Sequence, residues 1–100
     1  MIEVHQSDAF ETWLRRLKDD NAVARIVARI RRMEQGNLGD TKSVGAGVME
    51  PRIDYGPGYR IYYVQRGTEV VILLCGGDKR TQERDIKRAH AMAREEAERR

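Results

Sequence analysis

The chain of 100 residues is long enough for one domain with a single hydrophobic core. Its 40% hydrophobic and 35% charged residues exclude a disordered chain, and its longest apolar run, residues 70–75, is too short to span a bilayer. The net charge of +3 arises entirely in residues 51–100, which predicts an anionic partner such as nucleic acid or an acidic protein.

The first two elements are predicted to be a short strand and a helix. Residues 2–5 alternate apolar and polar side chains, which favours a strand with one buried face. Ser7 is a good N-cap for a helix that ends near Lys18. Apolar residues recur in it at helical spacing, namely Phe10, Trp13, Leu14 and Leu17. No basic segment followed by an apolar one opens the chain, so we expect a cytoplasmic protein.

A second helix is predicted to begin at Asp20 or Asn21, either of which can cap it. Its apolar stripe consists of Val23, Ile26, Val27, Ile30 and Met33. Its opposite side is basic and carries Arg25, Arg29 and Arg32. Such a side is most simply a solvated face, although its arginines are also candidates for binding a partner. The short link between the two apolar stripes indicates an antiparallel helix pair.

The next part of the chain changes from helical to strand periodicity. Gly36 is predicted to end the second helix, and residues 36–47 are interpreted as an irregular connector because they are rich in glycine and turn-forming residues. Val48 to Asp54 is predicted to be a strand. Since Pro51 lacks an N–H donor, we expect an edge strand or a bulge there.

Two further strands complete a predicted meander. The turn at residues 55–58 leads into a strand at 59–65, and a turn at 66–68 leads into a strand at 69–75. The unbroken apolar run of the latter is typical of a strand covered on both faces, so we expect it to be central. Cys75 lies in this run and is interpreted as a small buried hydrophobe.

A final helix is predicted after Gly77, capped by Asp78 or Thr81, with a thin apolar stripe and a charged tail from about residue 94 that frays into solvent. The stripe consists of Ile86, Ala89, Ala93 and Ala97. The order of elements predicts a single α+β domain over residues 1–100. We expect a strand, then a helix pair packed on one face of a mainly antiparallel sheet, then the C-terminal helix.

Several segments resemble the RelE/ParE toxin superfamily, specifically its HigB-like addiction module killer proteins. They are GNLGD, a strand ending in PRI, YGPGYRIYY and LLCGGDKRTQERDI, and the resemblance covers residues 10 to about 91. It implies a RelE-like fold and the toxin of a type II toxin–antitoxin system, a metal-independent and ribosome-dependent mRNA endonuclease that inhibits translation. The alternatives are a non-catalytic ParE-like inhibitor of DNA gyrase and an inactive partner in operon autoregulation.

The resemblance also implies the partners of such a toxin. These are a cognate helix-turn-helix antitoxin, the ribosome and mRNA, with operator DNA contacted only through the antitoxin. No cofactor, metal or membrane is expected. The glycines of "GPGY" lack the strand–loop–helix setting of a nucleotide-binding loop, so no ATP or NAD site is predicted.

Metal-free RNA cleavage uses the 2′-hydroxyl as nucleophile and needs cations to stabilise the phosphate in the transition state. Arg60 and Lys79 match basic positions of RelE-type nucleases and follow glycines that would let an RNA backbone approach, and Arg52 matches an arginine of the preceding strand. These three residues are the catalytic candidates. The RNA-binding candidates are Tyr62, Arg80, Arg25 and Arg29.

The sequence also departs from the nucleases that it resembles. Val48 and Glu50 stand where RelE-type nucleases have lysines, and the C-terminal helix has no tyrosine, so the proton carrier is unassigned. Structural interpretations compete with the functional ones. Arg60 could pair with Glu50 or Asp54 across the hairpin. Alternation places Arg60 and Tyr62 on one face of their strand, with Tyr59, Ile61 and Tyr63 on the other.

Overall fold

A computed structural model describes residues 1–99 and confirms the α+β class. A five-stranded sheet has the order β1-β5-β4-β3-β2, in which only β1 and β5 pair in parallel. In chain order the elements are β1 (Glu3–Gln6), α1 (Asp8–Arg16), α2 (Asp20–Glu34), β2 (Thr41–Ser43), β3 (Met49–Ile53), β4 (Tyr59–Arg66), β5 (Val70–Asp78), a 3-10 turn (Lys79–Thr81) and α3 (Gln82–Glu98).

The helix ends follow from capping chemistry. The Ser7 hydroxyl accepts a hydrogen bond from the Phe10 amide, which confirms the predicted cap of α1. The cap of α2 is Asp19 rather than Asp20 or Asn21, because the Asp19 carboxylate is the one that accepts from the amides of Asn21 and Ala22. Gly36, at φ +89°, ends this helix in the left-handed conformation that glycine adopts without strain.

The predicted connector contains an edge strand that the sequence pattern did not indicate. Residues Thr41–Ser43 form β2, which pairs antiparallel with β3. As a result, β3 lies between β2 and β4, so the edge-strand alternative for Pro51 is wrong. The bulge alternative is wrong as well, because the register of β3 with β4 is the same on both sides of Pro51. Thr41 lies opposite Pro51. Three mostly polar residues between glycine-rich turns are too short a run to show strand periodicity, which is why β2 was missed.

Helices cover both faces of the sheet. One face packs on α1 and α2 through a cluster that includes Phe10, Ile26, Tyr59, Ile61 and Tyr63. The other face packs on α3 through a cluster that includes Val48, Tyr62, Leu74 and Ala89. This confirms the predicted alternation along β4. Strand β5 contributes to both clusters, as its apolar run predicts, but the central position in the sheet belongs to β4.

The C-terminal helix is longer than predicted. It continues to Glu98, so the expectation of a fraying tail from about residue 94 is wrong for residues 94–98. Ala93 is buried on the sheet, and Arg66 of β4 donates to Glu96 at 2.5 Å, which ties the last turns to the domain. Arg100 lies outside the described residues. Across residues 1–99, no helix is both long enough and apolar enough to cross a membrane.

Candidate nucleic-acid interface

Strand register brings the three catalytic candidates to one end of the sheet. Arg52 of β3 lies directly opposite Arg60 of β4, and Arg60 lies opposite Gly77 of β5. Lys79 follows two residues after Gly77, at the point where β5 ends. Three cations from β3, β4 and the 3-10 turn therefore come to the same end of the sheet, although the chain separates the first from the last by 27 positions.

The turn before β4 shows how close Arg60 and Lys79 lie. Gly58 has φ +79°, and its carbonyl accepts a 2.8 Å hydrogen bond from Arg60 Nη1. A Cβ atom placed on Gly58 would lie 3.3 Å from Arg60 Nη1 and 3.7 Å from Lys79 Cβ. Glycine at this position therefore leaves room for both side chains, and the backbone of the turn is held against the guanidinium.

A buried carboxylate lies beneath the arginines. Glu50 is fully buried, and its Oε2 accepts hydrogen bonds from the Tyr62 hydroxyl at 3.0 Å and from Gln82 Nε2 at 2.9 Å. Arg60 Nε lies 3.9 Å from Oε2, and Arg52 Nε lies 3.6 Å from Oε1. The competing interpretation of Arg60 is thus partly correct: it pairs at long range with Glu50, and it is only 7% exposed.

The hydrogen-bonding capacity of this cluster is not used up. Within residues 1–99, neither Glu50 Oε1 nor Arg60 Nε has a hydrogen-bond partner. Burial, together with the hydrogen bond to Glu50, raises the pKa of Tyr62 far above its usual value, so the phenol stays a donor at any physiological pH. The cluster therefore combines a fixed anion with an arginine that retains donor capacity.

The 3-10 turn before α3 is an exposed part of the site. Asp78 caps the 3-10 turn by accepting from the Arg80 amide at 2.8 Å, and Thr81 completes a capping box. Desolvation opposes ionisation of Asp78, but hydrogen bonds from Arg80 outweigh it and lower the pKa of that carboxyl. Lys79 and Arg80 are exposed, and the Arg80 side chain also pairs with Asp78 at 3.2 Å. This segment can meet a large ligand directly.

A surface hollow of about 290 Å³ continues the site toward β2. It is lined by Asp40, Thr41, Lys42, Glu50 and Arg52. Lys42 lies opposite Glu50 across the β2–β3 pair, so it adds an exposed cation beside Arg52. Lys42 was not predicted as a site residue because β2 was not predicted. Gln82 had no predicted role either, because it is 32 positions from Glu50 along the chain and meets it only in the folded protein.

Two of the RNA-binding candidates are in the wrong place for that role. Tyr62 is completely buried and donates to Glu50, so it presents no ring surface to a base. Arg29 is only 8% exposed, and its guanidinium donates to the carbonyls of Arg52 and Asp40. It is an internal anchor, not part of a solvated face. The helical pattern placed it outside because arginine was assumed to be exposed.

Arg25 is exposed but lies away from the cluster, since α2 packs on the other face of the sheet. Its guanidinium stacks over Tyr55 at 4.6 Å. On the α3 side, His90 Nε2 lies 2.8 Å from the Val44 carbonyl, and burial raises the pKa of the Cys75 thiol to about 11. Cys75 is therefore a neutral packing residue. Residues 1–99 contain no group of three or more His, Cys, Asp or Glu side chains arranged to hold a metal.

Comparison with known proteins places this fold and site in a family. Residues 12–100 match the family model described as "Phage derived protein Gp49-like (DUF891)". An uncharacterized protein of Haemophilus influenzae is 50% identical over 94 residues, which cover 94% of this chain and 95% of that protein. The chain therefore belongs to the phage-derived Gp49-like family. This family comprises HigB-like, RelE-type toxin-like proteins, so the resemblance is confirmed at that broader level.

Proposed function

We propose that this protein is the toxin of a type II toxin–antitoxin system and cleaves mRNA on the ribosome without a metal ion. The Gp49-like family supports a toxin-like protein with an antitoxin partner. The cognate antitoxin is a helix-turn-helix protein, and operator DNA is contacted only through this antitoxin. The pair acts in the cytoplasm. A small helix-turn-helix reading frame next to the gene would support this assignment.

The observation that carries the nuclease proposal is the convergence of Arg52, Arg60 and Lys79 beside the Gly58 turn. Attack of a 2′-hydroxyl on the adjacent phosphorus adds negative charge to the phosphate oxygens. Cations held on rigid strands stabilise that charge without having to reorganise during the reaction. Arg60 is the best oriented of the three, because its guanidinium is tied to the Gly58 carbonyl.

The exposed cations around this cluster would hold the RNA backbone. Arg80 and Lys42 lie at its two sides, one at the start of α3 and the other on β2. Each phosphate contact of this kind adds attraction that falls with salt concentration and carries no sequence information. Binding by the proposed surface should therefore be strongly salt-dependent. Tyr62 has no part in it because it is fully buried, and Arg29 has none because both of its Nη groups donate to backbone carbonyls.

Induction of single variants tests the proposal. Wild-type protein expressed alone should arrest growth, whereas Arg60→Ala and Lys79→Ala should relieve the arrest, with cleavage reduced about 100-fold or more for the arginine. Arg94→Ala, which removes an exposed cation near the far end of α3, is the matched control and should remain toxic. Circular dichroism should show that the inactive variants are folded. If both folded variants arrest growth like the wild type, the proposed site is wrong.

RNA sequencing and toeprinting after induction separate the alternatives. A nuclease produces new mRNA 5′ ends at ribosome-bound positions within minutes. A ParE-like gyrase inhibitor leaves mRNA intact and induces DNA damage signalling instead. An inactive partner that acts only in autoregulation produces no arrest at all. Either of the last two results would replace the nuclease assignment.

A further inference from the structure

Glu50 is a fully buried carboxylate to which the proposed chemistry assigns no task. A buried charge is costly unless it is paired and hydrogen-bonded, yet Glu50 Oε1 has no hydrogen-bond partner within residues 1–99. We infer that Glu50 is a positioning residue, which holds the Arg60 guanidinium beside Arg52 and Lys79 in the orientation that grips a phosphate. The expected effect of Glu50 on cleavage rests on the proposed function. Its expected effect on the orientation of Arg60 rests on the geometry alone.

Glu50 lies where two cations would otherwise repel each other. Arg52 and Arg60 are direct cross-strand neighbours, and like charges in that arrangement repel. Glu50 lies between them, 3.6 Å from Arg52 Nε and 3.9 Å from Arg60 Nε. A single anion therefore attracts both guanidinium groups and offsets their mutual repulsion on the face that the strand register gives them.

Glu50 lies beyond hydrogen-bonding distance of the Nε atoms of Arg52 and Arg60. Both separations are longer than the roughly 2.7–2.9 Å of a charge-assisted hydrogen bond. The carboxylate thus attracts Arg60 without taking up its donors, and Arg60 Nε has no hydrogen-bond partner within residues 1–99. Nε itself is buried, so Arg60 would meet a phosphate through its Nη groups, one of which also donates to the Gly58 carbonyl. A closer, bidentate pair would have neutralised the arginine and removed it from the site.

Two hydrogen bonds keep the Glu50 carboxylate at this distance from the arginines. Tyr62 of β4 and Gln82, the first residue of α3, both donate to Oε2. Turning the carboxylate toward either arginine would break these bonds in a buried place, which costs free energy. Because Tyr62 stays protonated, its hydroxyl keeps the proton that it donates to the carboxylate. The network therefore fixes Glu50 from two elements, and Glu50 in turn fixes Arg60.

The main test is Glu50→Gln, which removes the charge and keeps an oxygen for Tyr62 and Gln82. The single-turnover cleavage rate of ribosome-bound mRNA should fall about 10- to 100-fold, since small misplacements of a positioned group have effects of this size. Affinity for the RNA should stay the same or rise, because loss of an anion makes the site more positive. Glu69→Gln, at an exposed carboxylate near the opposite end of β5, should change neither quantity.

A double-variant cycle distinguishes positioning from a merely structural role. If Glu50 acts through Arg60, then Glu50→Gln in an Arg60→Ala chain should lower the cleavage rate by less than about threefold, because the coupled residue is already absent. A full additional loss in that chain would overturn the inference. So would equal losses of affinity and rate in the single variant. If Glu50→Gln does not fold, Tyr62→Phe removes one hydrogen bond to Glu50 and should lower the rate while leaving the affinity unchanged, because the anion is still present.

A second measurement separates this inference from the proposed function. In the free protein, the Arg60 Nε–H NMR signal should shift and exchange faster with water in Glu50→Gln than in wild type or Glu69→Gln. If the wild type cleaves no RNA, the proposed function fails and this signal alone decides the role of Glu50. An Arg60 signal that is the same in all three proteins would overturn the inference, whether or not RNA is cleaved.

Discussion

Replacing Arg29 by Met tests whether this arginine is an internal anchor of the fold. Methionine retains a long aliphatic stem at this position but lacks the guanidinium, which donates to Arg52 O at 3.0 Å and to Asp40 O at 2.7 Å. Hydrogen bonds from a charged donor contribute about 1.5–3 kcal/mol each. Burial of the guanidinium, followed by repulsion from Arg32 as the second cause, lowers the pKa of Arg29. The cost of burying this charge therefore offsets part of the stabilisation that the hydrogen bonds provide.

The net loss of unfolding free energy should therefore be about 2–4 kcal/mol. For a domain of this size that corresponds to a fall in Tm of about 10–25 °C. The assay is thermal and urea unfolding followed by circular dichroism at pH 7. Arg32→Met is the matched control, because Arg32 lies on the same helix but is exposed, and it should change stability by less than about 0.5 kcal/mol. Equal effects of the two substitutions would refute the anchoring role.

Two further predictions concern β5, one at Gly77 and one at the buried Cys75. A Cβ on Gly77 would lie 1.9 Å from Asp85 Oδ2, so Gly77→Ala should lower the free energy of unfolding in urea by about 1–3 kcal/mol. Adding Asp85→Ala to the same chain should recover part of that loss. Additive losses would contradict the overlap of the two groups. The pKa of Cys75 is raised from 9.0 to about 11, so the unfolded chain ionises first. Stability should fall between pH 9 and 11 by about 2–3 kcal/mol more in wild type than in Cys75→Ala, and parallel curves would contradict this.

Local patterns were sufficient for most of the fold. Helix caps such as Ser7, the alternation along β4 and the apolar run of β5 each depend on residues close together in the chain, and each is found as predicted. The missed strand β2 shows the limit. Three residues do not display a period, and β2 exists because β3 offers it an edge with free hydrogen-bonding groups. β3 begins only six positions after β2 ends, so the two form a local hairpin whose short first strand carries no recognisable pattern.

The errors at the site have a common cause. Tyr62 and Arg29 carry polar groups and were expected at the surface, yet both are buried because a distant partner satisfies them. Tyr62 meets Glu50, and Arg29 meets backbone carbonyls of the connector and β3. Whether a polar side chain is buried depends on the presence of such partners, and no local pattern reveals them.

The sequence alone determined the class of the fold, the order of most elements and most of the cations to consider, since periodicity, capping and charge are local properties. Only the tertiary structure decided which cations meet. Strand register places Arg52 against Arg60, and the end of β5 brings Lys79 to the same turn. It also decided that Glu50 lies beneath them, because burial of a carboxylate depends on the donors that surround it once the chain has folded.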